Sequence, residues 1–158
     1  MPNWCMNTVT LTHNDINMIN RAIESSNNNR LFNEFVPRPS IEEDNWYDWN
    51  LINWGTKWDM TSFDEVESDG TNSISISFQT AWCPPIEFYN SLIEQGFEVS
   101  AYYYEGGCGF CGHYDNGSDD YYTIEGNSKW VKEYIPEHIN EVFAISDFME
   151  DFEDDEDV

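Results

Sequence analysis

Positive charge is what this chain most lacks: 6 Lys and Arg stand against 31 Asp and Glu over 158 residues, a formal charge of −25. So few cations argue against direct binding of nucleic acid or of an anionic membrane, because each phosphate contact would be made against the field of the whole molecule. Long apolar runs are missing too; none approaches the roughly 20 residues that cross a bilayer. The opening MPNWCMN has neither the basic nor the apolar region of a secretory leader. A soluble protein of the cell interior is expected. Cysteine is sparse, and Cys5, Cys83, Cys108 and Cys111 are expected to be free thiols, not a disulfide framework. Repeats and flexible linkers are absent, so one domain is expected over 1–146.

Aromatic residues are abundant, with 7 Trp, 9 Tyr and 10 Phe. A disordered acidic protein would lack them, so this chain is expected to fold around a core. Eight of the 31 acids lie in Asp147 to Val158, read as an acidic C-terminal tail. With those set aside, 23 acids still face 6 bases, a charge of −17, so the imbalance belongs to the domain as well as to the tail.

Alternating Val9 and Leu11 predict a strand over Asn7 to His13. Ile16, Ile19 and Ile23 then recur at helical spacing behind a cap at Asn14 or Asp15, and SSNNN at 25–29 ends that helix. Arg30 to Asn45 reads as irregular because of Pro37 and Pro39. In WYDWNLINWGTKWD, Trp46, Trp49 and Trp54 with Tyr47 and Ile52 suggest one side of a short helix stopped by Gly55. Trp58 to Val66 and Ser73 to Thr80 read as a hairpin turning at Asp69-Gly70. Pro84-Pro85 opens a helix through Gln95, and Phe97 to Tyr104 is the next strand. A further hairpin is expected around Asp115-Asn116-Gly117, then helices over Ser128 to Tyr134 and Glu137 to Asp151. The predicted class is α+β: a ferredoxin-like β-α-β-β-α-β antiparallel sheet with both helices on one face, a Trp-rich insertion, and a C-terminal hairpin and helical extension.

Five segments, MPNWCMN, FVPRP at Phe35 to Pro39, WYDWNLINWGTKWD at Trp46 to Asp59, FQTAWCPP at Phe78 to Pro85 and YEGGCGFCG at Tyr104 to Gly112, resemble the YubB ferredoxin-like family of plasmid and phage proteins over about residues 1–112. The resemblance implies a ferredoxin-like fold in a protein of a mobile element, in the cytoplasm of a bacterial host. It carries no catalytic residues with it.

Cys108, Cys111 and His113 supply three soft or borderline ligands, but no fourth is evident unless the fold brings Cys83 or His138 near, so no metal site and no cofactor are assigned. Gly107, Gly109 and Gly112 spell GxGxxG without a following helix, which leaves turns and bulges as their reading. The acids of 115–120 suit a solvated turn better than a calcium loop. The three histidines sit in no recognisable nucleophile or HExxH setting, so no enzymatic activity is assigned. The tryptophans resemble a stacking platform for single-stranded nucleic acid, but with cations so scattered a core role for Trp46, Trp49, Trp54, Trp58 and Trp82 is expected.

These readings, with the resemblance, lead to a phage-encoded interaction protein that inhibits a host defence or nucleic-acid-processing protein by occupying its basic, nucleic-acid-binding surface as a mimic of DNA or RNA. The expected contact residues are Glu42, Glu43 and Asp44; Asp64, Glu65, Glu67 and Asp69; and Asp147, Glu150, Asp151, Glu153, Asp154, Asp155, Glu156 and Asp157. A metal or redox protein centred on Cys108, Cys111 and His113 is the alternative, as is a regulatory or structural protein whose charge only maintains solubility.

Overall fold

The computed structural model describes residues 2–156, with side chains up to 154. It is an α+β protein whose six antiparallel strands form one open sheet in the order β2-β3-β1-β4-β5-β6. The strands are β1 (Trp4–Thr12), β2 (Thr61–Ser62), β3 (Ser73–Ala81), β4 (Glu98–Glu105), β5 (Phe110–Asp115) and β6 (Ser118–Thr123). The helices are α1 (Ile16–Asn27), α2 (Leu31–Phe35), α3 (Trp46–Asn53), α4 (Ile86–Glu94), α5 (Ser128–Tyr134), α6 (Glu137–Phe143) and α7 (Ile145–Glu156), with a 3-10 turn over Ser40–Asn45.

Strand alternation sorts side chains onto two faces. On one, Val9, Leu11, Ile74, Ile76, Phe78, Val99, Ala101 and Tyr114 meet α1 through Ile19, Ala22 and Ile23 and α4 through Phe88, Tyr89 and Leu92. Phe32 of α2 sits at the centre, its ring 4.4 Å from Phe88, 5.7 Å from Phe78 and 5.9 Å from Trp54. On the opposite face, Tyr102, Tyr104, Cys111 and Tyr122 are covered by Val131, Ile135, Ile139 and Ile145 from α5 to α7. That helical layer extends over β4 to β6. The hydroxyls of Thr8, Thr10 and Thr12 on β1 pair with those of Ser77, Ser75 and Ser73 on β3 at 3.4, 3.2 and 3.1 Å. No acid lies on β1, β2 or β3, so the charge is carried by helices, loops and the other half of the sheet.

Several local readings hold. Asp15 caps α1 by accepting from Asn17 N–H at 2.9 Å. Asn116 and Gly117, with φ of 46° and 102°, form the two-residue turn between β5 and β6, the paired positive φ that matches the twist of a hairpin.

Others are corrected. Arg30 to Asn45 is not irregular: between its start and the prolines, Asp59 stabilises α2, and the 3-10 turn follows Pro39. The strand expected over Trp58 to Val66 shrinks to Thr61–Ser62, paired with Gln79 and Phe78. Beyond it the chain leaves the sheet, where Asn27 ties Val66 through both its N–H and its C=O at 2.8 Å. The final helix divides at Ala144, whose left-handed φ of 49° separates α6 from α7. The helix predicted to end at Asp151 runs on to Glu156, so residues 147–156 of the acidic tail lie on α7.

Candidate functional site

Four of the segments named above meet at one end of the sheet. The Asn3 carbonyl accepts from Trp82 N–H at 2.8 Å, and Asn7 Nδ2 donates to Thr80 Oγ1 at 2.9 Å. Tyr89 OH then donates to Asn7 Oδ1 at 3.2 Å, so both ends of the buried Asn7 amide are satisfied, as a polar group inside a core requires. Thr56 Oγ1 donates to the Ala81 carbonyl at 3.0 Å, and Cys83 Sγ to that of Gly55 at 3.0 Å. Glu105, also buried, accepts from the backbone N–H groups of Gly107 and Cys108 at 2.6 and 2.8 Å. Asn3 Nδ2 reaches Cys108 Sγ at 3.5 Å.

The fifth segment, FVPRP, joins through α3. The Val36 carbonyl accepts from Trp54 Nε1 at 2.9 Å, and Arg38 Nη1 donates to Asn50 Oδ1 at 2.9 Å. Asn50 Nδ2 donates in turn to the Lys57 carbonyl at 2.8 Å. Around this chain of bonds lies a cavity of about 500 Å³ lined by Asn33, Arg38, Glu43, Trp46, Asn50, Trp54, Trp58 and Asp59. Its floor is tied down by hydrogen bonds: Trp54 is buried and bonded to Val36, and Asp59 accepts from the N–H groups of Phe32, Asn33 and Met60. Burial raises the Asp59 carboxyl to about 6, against the lowering effect of those three bonds.

This corrects the expectation that five tryptophans form the core. Trp54 alone of them is buried; Trp46 and Trp49 are half-buried, and Trp58 and Trp82 are 38 and 47% exposed. Tyr47 and Ile52 also face outward. Among the described residues Arg21, Arg30 and Lys132 form ion pairs with Glu34, Glu24 and Glu150, Arg30 also reaching Glu34. Arg38, Lys57 and Lys129 make none among the described residues; Lys57 Nζ lies 4.4 Å from the Trp58 ring and 5.6 Å from that of Tyr47. The sequence signal was the density of Trp in 46–58, but which indoles stay open is decided by how α3 packs.

The expected acidic contact residues fall in three places. Glu42, Glu43 and Asp44 lie on the 3-10 turn before α3, with Glu43 at the tryptophan cavity. Asp64, Glu65, Glu67 and Asp69 are all exposed in the loop between β2 and β3, at one edge of the sheet. Asp147, Glu150, Asp151, Glu153 and Asp154 lie on α7, over the other half; Asp155 and Glu156 are on the same helix, and Asp157 lies outside the described residues.

Helix α7 is held by its acids as well as by Ile145 and Met149. Glu153 accepts from Ser128 N–H and Oγ at 2.8 and 2.6 Å, and Lys132 pairs with Glu150. Those bonds hold the Glu153 carboxyl below its ordinary range. Asp147, Asp151 and Asp154 remain exposed, and their spacing puts them on one stripe. Beside it Phe148 and Phe152 are 56 and 58% exposed, with ring centroids 4.9 Å apart. They line a cavity of about 320 Å³ with Tyr104, Gly106, Met149 and Glu153.

Cys108, Cys111 and His113 have separate surroundings. Cys108 is exposed on the β4–β5 turn; Cys111 is buried among the residues of α5 to α7, and burial pushes its thiol up to about 11. His113 stacks on Tyr102, centroids 4.1 Å apart, and its Nε2 lies 2.9 Å from Ser100 Oγ. His138 adjoins both, with its Nδ1 3.1 Å from Tyr102 OH. Burial lowers the His113 pKa first, with nearby acids opposing. Ser100 and His113 form a hydroxyl–imidazole pair, but among the described residues no carboxylate hydrogen-bonds the other ring nitrogen, as an oriented nucleophile–base pair requires. Among the described residues no group of three or more His, Cys, Asp or Glu is placed to hold a metal ion, and no helix is long and apolar enough to cross a membrane. No family model, curated protein or solved structure matches the chain.

Proposed function

We propose that this is an interaction protein of a mobile element that blocks the basic, nucleic-acid-binding surface of a bacterial host protein, with carboxylates in the place of phosphates. The observation that carries the reading is α7. Seven acids on its twelve residues amount to about one charge per 2.6 Å of axis, against about one per 1.7 Å for duplex DNA. Ser128 and Lys132 fix the helix from one side, which leaves the stripe of Asp147, Asp151 and Asp154 presented in a preorganised form. Phe148 and Phe152 add an apolar anchor that phosphate does not have, and a buried anchor within a charged rim supports affinity while the charges direct partner choice.

The remaining framework fits the same proposal. The order β2-β3-β1-β4, with α1 and α4 on one face, supports a ferredoxin-like unit extended by β5, β6 and the last three helices. The five segments that resemble the YubB ferredoxin-like family support membership of it.

The test is capture from bacterial lysate at low salt, with duplex DNA as competitor, for the native chain and for a variant carrying Asp147→Asn, Asp151→Asn and Asp154→Asn. The expected result is a retained basic protein that itself binds DNA, is released by the duplex, and is lost with the triple variant. Retention indifferent to both the duplex and the variant, or no retention, rejects the proposal.

A further inference from the structure

The tryptophan cavity has features that an acidic mimic does not need. Two of the six cations of the chain stand at it or beside it, and neither has a carboxylate within ion-pair distance among the described residues. In a protein with 31 acids, such cations are available to an outside anion. Arg38 is aimed by the buried Asn50, and Lys57 is steadied by the rings of Trp58 and Tyr47. Trp46, Trp54 and Trp58 line the same space, Trp46 half-buried and Trp58 38% exposed, with Lys57 Nζ over one face of the Trp58 ring. At about 500 Å³ the space is of the size that takes one small organic ligand.

We infer that this cavity binds a single nucleotide, its base stacked on the indoles and its phosphate held by Arg38 and Lys57. Indole faces favour a flat π-system, and a base stacks on an aromatic side chain whatever its sequence context. An Arg fork and a Lys point charge are the usual pair for phosphate. The edges of the cavity discriminate further. Glu43 supplies carboxylate acceptors, whereas both Asp59 oxygens are taken by backbone N–H groups; the Asn33 amide, whose Oδ1 already accepts from Arg38 N–H at 3.1 Å, has its Nδ2 left to donate. A base that carries an exocyclic amino group satisfies such acceptors, as cytosine and adenine amino groups do for carboxylates and amides elsewhere. A bare anion would leave the indoles unused, and a neutral sugar would leave both cations unused. The field of the distant acids is screened over about 8 Å at physiological salt, and the Glu43 and Asp59 carboxylates of the lining are the local charges that Arg38 and Lys57 have to outweigh.

Tryptophan fluorescence and calorimetry with the four ribonucleoside 5′-monophosphates and the matching nucleosides test this, with inorganic phosphate and a neutral oligosaccharide as controls. Quenching is expected with nucleotides, which should bind at least about tenfold more tightly than nucleosides, the effect of about 1.4 kcal/mol from the charged contacts. Lys57→Gln, a surface change that leaves the core intact, should weaken nucleotide binding about tenfold and leave nucleoside binding unchanged. Trp46→Ala should weaken both, with an unchanged circular dichroism spectrum. Equal affinity for nucleoside and nucleotide overturns the inference. So does binding of the oligosaccharide alone, or no response to any nucleotide at about 1 mM.

Discussion

Asp59 Oδ2 accepts the backbone N–H of Asn33 at 2.9 Å, across 26 residues of chain. The other oxygen takes the Phe32 N–H at 3.0 Å, so one carboxylate closes the first turn of α2 and seats Phe32 in the core. Because α2 and Asp59 both border the tryptophan cavity, the shape of that cavity depends on this carboxylate.

Its ionisation should be visible in stability. Burial raises the folded Asp59 carboxyl to about 6, whereas an unfolded Asp titrates near ~3.9. The folded state therefore holds the proton more tightly. The stability this contributes is complete below about pH 4 and lost as pH rises through about 6, on the order of 3 kcal/mol. Urea unfolding from pH 4 to 7 should show the native chain losing ground relative to Asp59→Asn by about that amount. A pH-independent difference between the two would refute the shift.

Gly112 is mid-strand in β5 and buried, where a Cβ would stand 2.2 Å from Tyr103 OH and 2.5 Å from the Asp120 carbonyl. Neither neighbour yields easily, since Tyr103 OH is bonded to Asp119 at 2.6 Å and Asp120 belongs to β6. Gly112→Ala should destabilise by about 3 kcal/mol through overpacking. Gly117→Ala, where the left-handed turn has open space, should cost about 1 kcal/mol from backbone strain alone. Thermal melts of the two variants that rank them the other way would contradict this packing.

The four thiols should separate by reactivity. Cys108 is exposed, whereas Cys5 and Cys111 are buried and burial raises both thiols; Cys83 is intermediate and is raised in the same direction. Since the thiolate is the nucleophile, iodoacetamide at pH 8 should add one carbamidomethyl group rapidly, at Cys108, with a slower second at Cys83. Rapid labelling of Cys111 would show that α5 to α7 do not cover the sheet as described.

Salt should stabilise the protein. Among the described residues there are four ion-pair contacts to lose, all partly exposed, while the net charge of −25 repels itself throughout. Raising NaCl from about 20 to 300 mM shortens the screening length severalfold, and the melting temperature is expected to rise by several degrees. A falling melting temperature would mean that the pairs outweigh the repulsion.

Most elements were legible because their signals are local. Val9 and Leu11 alternate at the strand period, Ile16, Ile19 and Ile23 repeat at the helical one, and Asn116-Gly117 accepts the φ values of its turn. Where reading failed, a distant partner had decided the outcome. Asp59 stabilises a helix at 31–35 in a stretch that ends in prolines, and the bonds from Asn27 draw Val66 away from the sheet. Composition and pattern were enough for the acidic charge, the α+β class and the existence of a tryptophan-rich segment, since each depends on residue identity and short-range periodicity. Which tryptophan is buried, which cations remain unpaired beside the indoles, and which face of α7 stays open were set by packing between elements far apart in the chain, and burial is a property of the assembled layers, not of any segment within them.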